Sequence, residues 1–207
     1  MQLYFVRHGE SEANVRRGFS NSDRDPLYGL TDVGRVQVED LAGRLAGVPF
    51  AAFYCSPALR ARQSADIVAA RLGIDYVLTR ALAEYDVGEL EGKSDAASWQ
   101  RYYAVRDTWF RDKDWTARIE GGESFEDIRA RFVPFIEALL ASSPPGPVLL
   151  LGHGGTFHCM LPIILSNITF DLVLDHGMGH TSVVVAEQRA HGLVCVQWGM
   201  AAPPVLS

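Results

Sequence analysis

The chain is poor in cysteine. Cys55, Cys159 and Cys195 are the only three, widely spaced and without a Cys-x-x-Cys pair. That supports neither a zinc ribbon nor a disulfide framework, and reduced thiols are the reading. Basic charge is also short: 19 Lys and Arg against 25 Asp and Glu leave a net charge of −6. A general nucleic-acid or anionic-membrane surface would need the opposite balance. A small anion held by a few local arginines stays open. Long apolar runs are missing, since a stretch such as Cys159 to Leu165 is far too short to span a bilayer. The opening Met-Gln-Leu-Tyr-Phe-Val-Arg-His has no basic region followed by a long apolar stretch, so no secretory signal is read and a cytoplasmic location is expected. There is no internal repeat and no low-complexity tract.

What the chain does have is the composition of a globular domain: 207 residues, 48% hydrophobic and 21% charged. One domain over residues 1–207 is expected. Gln2 to Val6 reads as a buried strand that ends at Arg7-His8-Gly9. Residues 14–30, rich in Arg, Gly, Asn, Ser and Asp, read as a long loop. Thr31 caps a helix to about Leu45, with Val33, Val36, Leu41 and Leu45 on its inner side. Ala52 to Cys55 is a second short strand. Ser56-Pro57 supplies an N-cap and a first-turn proline for a helix to about Leu72.

Asp75 to Leu78 reads as a strand and Leu82 to Gly92 as loop. Residues 95–118, with Trp99, Tyr102, Tyr103, Trp109, Phe110 and Trp115, read as helical up to the Gly121-Gly122 break. Ser124-x-x-Asp127 is a capping box, and Phe125, Ile128, Phe132, Phe135, Ile136 and Leu139 follow at helical spacing. Val148 to Leu151 is apolar throughout, as a central parallel strand should be. It ends at Gly152-His153-Gly154-Gly155 and leads into a helix through Ile164. Thr181 to Glu187 and Leu193 to Trp198 are strands paired antiparallel across a short link. The alternation predicts a three-layer α/β/α sandwich with a mostly parallel central sheet and an antiparallel C-terminal edge.

In open parallel sheets, ligands bind beyond the carboxyl ends of the strands. His8 and His153 stand at two such ends, each followed by glycine, which lets backbone approach a ligand closely. Arg7 precedes His8, and Arg60 lies in the first turns of the helix after Ser56-Pro57. A guanidinium fork matches phosphate oxygens, so convergence of these groups would suit a phosphoryl group. A lone histidine at a strand end is more often a satisfied structural residue, and nothing in the spacing alone brings these positions together. Metal ligation fits poorly. His153 and His158 are five apart, off one helical face, and glycines at 177 and 179 argue against a helix carrying His176 and His180.

These segments also carry a family resemblance. Arg7-His8-Gly9-Glu10-Ser11-x-x-Asn14 resembles the signature of the histidine phosphatase superfamily, in its phosphoglycerate mutase-like branch. In order along the chain, Ser56-Pro57-Ala58-Leu59-Arg60-Ala61-Arg62-Gln63-Ser64-Ala65 is similar to the family's second-arginine motif. Leu82-x-Glu84 with Gly88-Glu89-Leu90-Glu91-Gly92 is similar to its acid motif, Gly122-Glu123-Ser124 to the start of its late helix, and His153-Gly154-Gly155 to its second histidine motif. The resemblance spans about residue 2 to residue 186. Cys55 stands where serine is frequent and Ser64 where threonine is frequent.

The resemblance implies a phosphomonoesterase needing neither metal nor cofactor. His8 would be the nucleophile that forms a phosphohistidine, and Arg7, Arg60 and His153 would bind the nonbridging oxygens. Asn14 and Gly154 would contribute further hydrogen bonds to the phosphate. Glu84 would protonate the leaving alcohol and then activate water. Its acidic neighbours Asp86, Glu89 and Glu91 leave the choice of acid open. Cofactor-dependent mutases carry a longer, proline-rich insertion after the acid motif. Here the interval from Gly92 to Gly121 is shorter, which favours a phosphatase over a 2,3-bisphosphoglycerate-dependent mutase. Retention of the nucleophile and acid disfavours a noncatalytic phosphate-binding module. A small phosphorylated substrate is expected as the partner, with no nucleic acid and no membrane; the oligomeric state is open. Residues 93–121 could cap the pocket and select substrate, or simply pack an aromatic face on the core.

Overall fold

A computed structural model describes residues 1–20 and 28–199. Six strands form one sheet in the order β3-β2-β4-β1-β5-β6: β1 Gln2–Arg7, β2 Ala52–Cys55, β3 Val77–Leu78, β4 Val148–Gly152, β5 Val183–Arg189 and β6 Gly192–Trp198. The pairs β1·β4, β4·β2 and β2·β3 are parallel, and β1·β5 and β5·β6 are antiparallel. This is the expected α/β/α sandwich with an antiparallel C-terminal edge.

The alternation of side chains along the strands builds two cores. Leu3, Phe5, Val148 and Leu150 face one side, covered by helices α5 Phe125–Ser142, α6 Gly154–Ile164 and α7 Phe170–His176. Val6, Leu149 and Leu151 face the other, covered by α2 Asp32–Leu45 and α3 Leu59–Leu72. Every residue of β4 is buried, because both faces of this central parallel strand are covered. Ser124 caps α5 by accepting from Asp127 N at 3.2 Å, while Asp127 accepts from Ser124 N at 2.9 Å.

Several expectations need correction. Val33 and Val36 are 56% and 65% exposed. The buried stripe of α2 is Gly34, Val38, Leu41, Ala42 and Leu45. Gly34 sets this rotation, because α2 lies directly on the backbone of Glu10. A Cβ at position 34 would fall 2.0 Å from the Glu10 carbonyl oxygen, so this face must be the inner one.

Ser56 does not cap α3, which begins two residues later with Ala58 at its N-cap. Ser56 still belongs to the sheet margin, donating its N–H to Leu151 O at 2.9 Å. The stretch read as loop from residue 14 contains part of a short helix, α1 Glu12–Arg16; positions 21–27 of that stretch lie outside the described residues. The segment read as one helix over 95–118 is α4 Ala96–Asp107 followed by a wide π-type turn, Thr108–Asp112, which ends at Lys113 with φ +59°. The sequence reading had no counterpart for α7. No helix among the described residues is long and apolar enough to cross a membrane.

Candidate active site

Two adjacent parallel strands deliver the two histidines. Arg7 of β1 pairs with Gly152 of β4, and His8 N donates to Gly152 O at 3.1 Å. His8 and His153 therefore leave the sheet side by side, with ring centroids 5.0 Å apart. Both are buried. A crevice of about 240 Å³ opens here. Its walls include Arg7, His8, Asn14, Arg60, Glu84 and Gly154 from the sequence reading, joined by Trp99, Tyr102, Tyr103 and Arg106 of α4 and His158 of α6.

Arg60 links the two imidazoles. Its Nε donates to His8 Nε2 at 3.1 Å and its Nη2 to His153 Nδ1 at 3.2 Å. A guanidinium has no acceptor atom, so both ring nitrogens must carry lone pairs. His8 then holds its proton on Nδ1, which donates to the Gly9 carbonyl at 2.6 Å. His153 holds its proton on Nε2, which donates to Ser56 Oγ at 2.7 Å. Both imidazoles sit well below the usual histidine range. Burial is the main cause for each, followed by the charge of Arg60. They are therefore neutral at pH 7.

His153 is fully buried and meets the crevice through Arg60 rather than forming its wall. Asn14 is fixed in α1, where its Oδ1 accepts from Ser11 N at 3.1 Å and Ser11 Oγ at 2.9 Å. That leaves the amide NH₂ as its donor side. Arg7 Nη1 donates to Met178 O at 2.6 Å, and its buried Nε has no hydrogen-bond partner. Burial lowers the Arg7 pKa, against an opposing pull from Glu84.

Glu84 is clamped at the start of α6. Oε2 accepts from Gly155 N at 3.0 Å, and Oε1 accepts from Thr156 N at 2.6 Å and Thr156 Oγ1 at 2.9 Å. A helix N-terminus offers such free amides to an anion. The fit requires glycine at position 155, because a Cβ there would lie 2.7 Å from Oε1. Asp86 is engaged elsewhere, accepting from Gly88 N at 2.7 Å, and Glu89 pairs with Arg101.

Ser56, Tyr102, Arg106, His158 and Thr156 were not assigned to the site from the sequence. The aromatic and arginine content of 95–118 was the signal for Tyr102 and Arg106. Ser56 carried a competing signal as a helix cap. A wider open recess of about 870 Å³ continues outward between α1 and α4, sharing Asn14, Trp99 and Tyr103 with the crevice. Among the described residues, no group of three or more His, Cys, Asp or Glu is gathered to hold a metal ion.

Residues 3–201 match the family model for the histidine phosphatase superfamily, branch 1. The chain is 29% identical over 171 residues to the protein named "Probable phosphoglycerate mutase GpmB" of Cronobacter sakazakii, covering 80% of this chain and 75% of that protein. A solved mycobacterial glucosyl-3-phosphoglycerate phosphatase superposes with a TM-score of 0.82 at 25% identity, covering 97% of this chain and 99% of that one. The α-ribazole phosphatase of Shigella flexneri, 22% identical, shares the fold with a TM-score of 0.80 over the full length of both chains.

Proposed function

The chain belongs to the histidine phosphatase superfamily, and from that footing we propose that it hydrolyses small phosphomonoesters through a phosphohistidine on His8, without a metal. The observation that carries this reading is the His8 ring. Its Nδ1 is pinned to the Gly9 carbonyl at 2.6 Å and its Nε2 lone pair points at a guanidinium that a phosphate can displace. A neutral imidazole flanked by cations is a nucleophile matched to an anionic electrophile.

In the first step, Nε2 bonds to phosphorus as the bond from phosphorus to the alcohol oxygen breaks. Glu84, entering the cycle in its acid form, passes its proton to that oxygen. In the second step, water attacks phosphorus, gives a proton back to Glu84, and the phosphorus–nitrogen bond breaks. Arg7 and Arg60 hold the nonbridging oxygens throughout. The Asn14 amide and the backbone at Gly154 add donors. His153 joins them once Arg60 turns toward the phosphate, and the incoming negative charge favours the protonated imidazole that can donate. Residues 93–121 act as the cap within this single domain, since four side chains of α4 line the crevice.

The test is hydrolysis of p-nitrophenyl phosphate by the wild type and by His8→Ala, with chelator present. The wild type turns over and the variant loses on the order of 10⁴ or more in kcat, as removal of a covalent nucleophile does. Alkaline quenching during turnover traps one phosphoryl group on a peptide containing His8. Activity retained in His8→Ala would overturn the assignment. A mutase reading is favoured by the likeness to the protein named "Probable phosphoglycerate mutase GpmB". It requires phosphoglycerate isomerisation stimulated by 2,3-bisphosphoglycerate and faster than hydrolysis.

A further inference from the structure

His180 lies just before β5 and takes no part in the steps set out above. Its ring is 6.4 Å from that of His8, centroid to centroid, so His8 has a second imidazole neighbour besides His153. The segment that carries His180 is bonded along its length to Arg7 and His8. Arg7 Nη1 donates to Met178 O at 2.6 Å, Thr181 N to His8 O at 3.3 Å, and Arg7 N to Ser182 O at 3.1 Å. Arg44 Nη2, from α2, donates to Thr181 O at 3.4 Å. Thr181 itself has φ +55°, in the left-handed region that β-branched residues avoid. Strain of this kind persists where the surroundings over-determine it, and it gathers at functional sites. Here it fixes the turn that sets the His180 ring beside His8.

The groups facing His180 are of both signs. Arg7 and His8 belong to β1 and its end, Glu10 follows them, and Arg44 reaches the adjoining carbonyl. Burial, then Arg7, hold the ring below the usual histidine range, against an opposing pull from Glu10. Glu10 is partly engaged elsewhere, since its Oε1 accepts from Thr31 Oγ1 at 2.8 Å. The resting imidazole is therefore neutral at pH 7. A phosphoryl dianion seated at His8 reverses this balance. It offsets the Arg7 charge that repels the proton and adds an attraction at short range.

We propose that His180 belongs to the phosphate end of the site, taking up a proton as the phosphoryl group enters and adding its positive charge to those of Arg7 and Arg60. This inference rests on the reading that phosphate is held at His8. The proton comes from solvent, to which the residue is partly exposed, and returns there when phosphate leaves. His180 is not part of the crevice wall, so it acts through charge rather than through contact with substrate. Anion affinity then rises as pH falls between the pKa of the occupied site and that of the resting one.

Sulfate serves as the probe, because this tetrahedral anion keeps both charges across the range in which imidazoles titrate, about pH 5 to about pH 8. Imidazole NMR titration should place the His180 pKa about one unit or more higher with sulfate saturating than without it. Calorimetric sulfate affinity should rise as pH falls, and in His180→Gln that rise should be about tenfold smaller, the counterpart of one pKa unit. His180→Lys, charged throughout, should keep tight binding at the alkaline end. These results support the inference even where p-nitrophenyl phosphate is not turned over. Equal loss of affinity in His180→Gln at every pH marks a merely structural role and overturns it. So does a His180 pKa indifferent to sulfate while the His8 resonance responds, which leaves the phosphatase reading standing. Sulfate that moves none of the His8, His153 and His180 resonances overturns this inference together with the phosphate site on which it rests.

Discussion

Arg60 Nε donates to His8 Nε2 at 3.1 Å, so the guanidinium covers the lone pair that attacks phosphorus in the proposed mechanism. On that mechanism the resting site is self-blocked until a phosphate draws the guanidinium away. Arg60→Ala should uncover the nucleophile yet lower kcat by about 10²–10³, because the transition-state donor is lost with it. The His8 pKa should rise in the same variant, since the Arg60 charge is the largest depressing influence after burial. Imidazole NMR titration reads the pKa, and an unchanged value would refute the coupling.

Ser56 Oγ accepts the His153 Nε2 proton at 2.7 Å. Ser56→Ala leaves that buried donor without its partner, a loss of about 1–3 kcal/mol. The ring should also lose its fixed tautomer, lowering kcat. Urea unfolding and steady-state kinetics together check both effects.

In the proposed mechanism Glu84 serves the leaving group, so Glu84→Gln should act differently on different esters. Hydrolysis of alkyl phosphates should fall by about 10²–10⁴, while p-nitrophenyl phosphate, whose phenolate leaves without protonation, should lose much less. Gly155→Ala should reproduce this pattern in weaker form, because its methyl group collides with Oε1. Equal losses on both esters would argue against an acid role.

Stability should decline on the acid side. The unfolded imidazoles of His8, His153 and His158 take up protons near pH 6.5, whereas each folded one does so only at lower pH, His158 at about 4. Below about pH 6.5 the unfolded state binds more protons, so stability falls as pH falls, by up to about 1.4 kcal/mol per pH unit and group. Above that pH the three contribute no slope. Urea midpoints measured from about pH 7 down to about pH 5 should show a shallower fall in His158→Gln than in the wild type.

The sheet and the phosphate end of the site were legible because their signals are local. Val148 to Leu151 is an unbroken apolar run, and Ser124 and Asp127 form a cap within one turn. Arg7, His8, Arg60 and His153 stood out at strand and helix ends, and Glu84 only through the family resemblance. What escaped depends on contacts between distant segments. The rotation of α2 is set by Gly34 against Glu10, which no periodicity within the helix records, so Val33 and Val36 were turned the wrong way. Ser56 looks like a cap locally and becomes a histidine partner only when β2 lies against β4. Arg106 and His158 are 52 residues apart in the numbering and come to line one crevice only in the folded chain.

The pairing of Arg7 with Gly152 has a wider meaning. Neighbouring strands in any sheet lie about 4.8 Å apart, and the two imidazoles, each one step past that rung, inherit nearly the same interval. The separation is thus gauged by peptide geometry, which mutation of surrounding side chains scarcely touches. Drift in the flanking helices and loops can reshape what enters the cleft while the spacing of the two rings stays constant, like marks on a ruler.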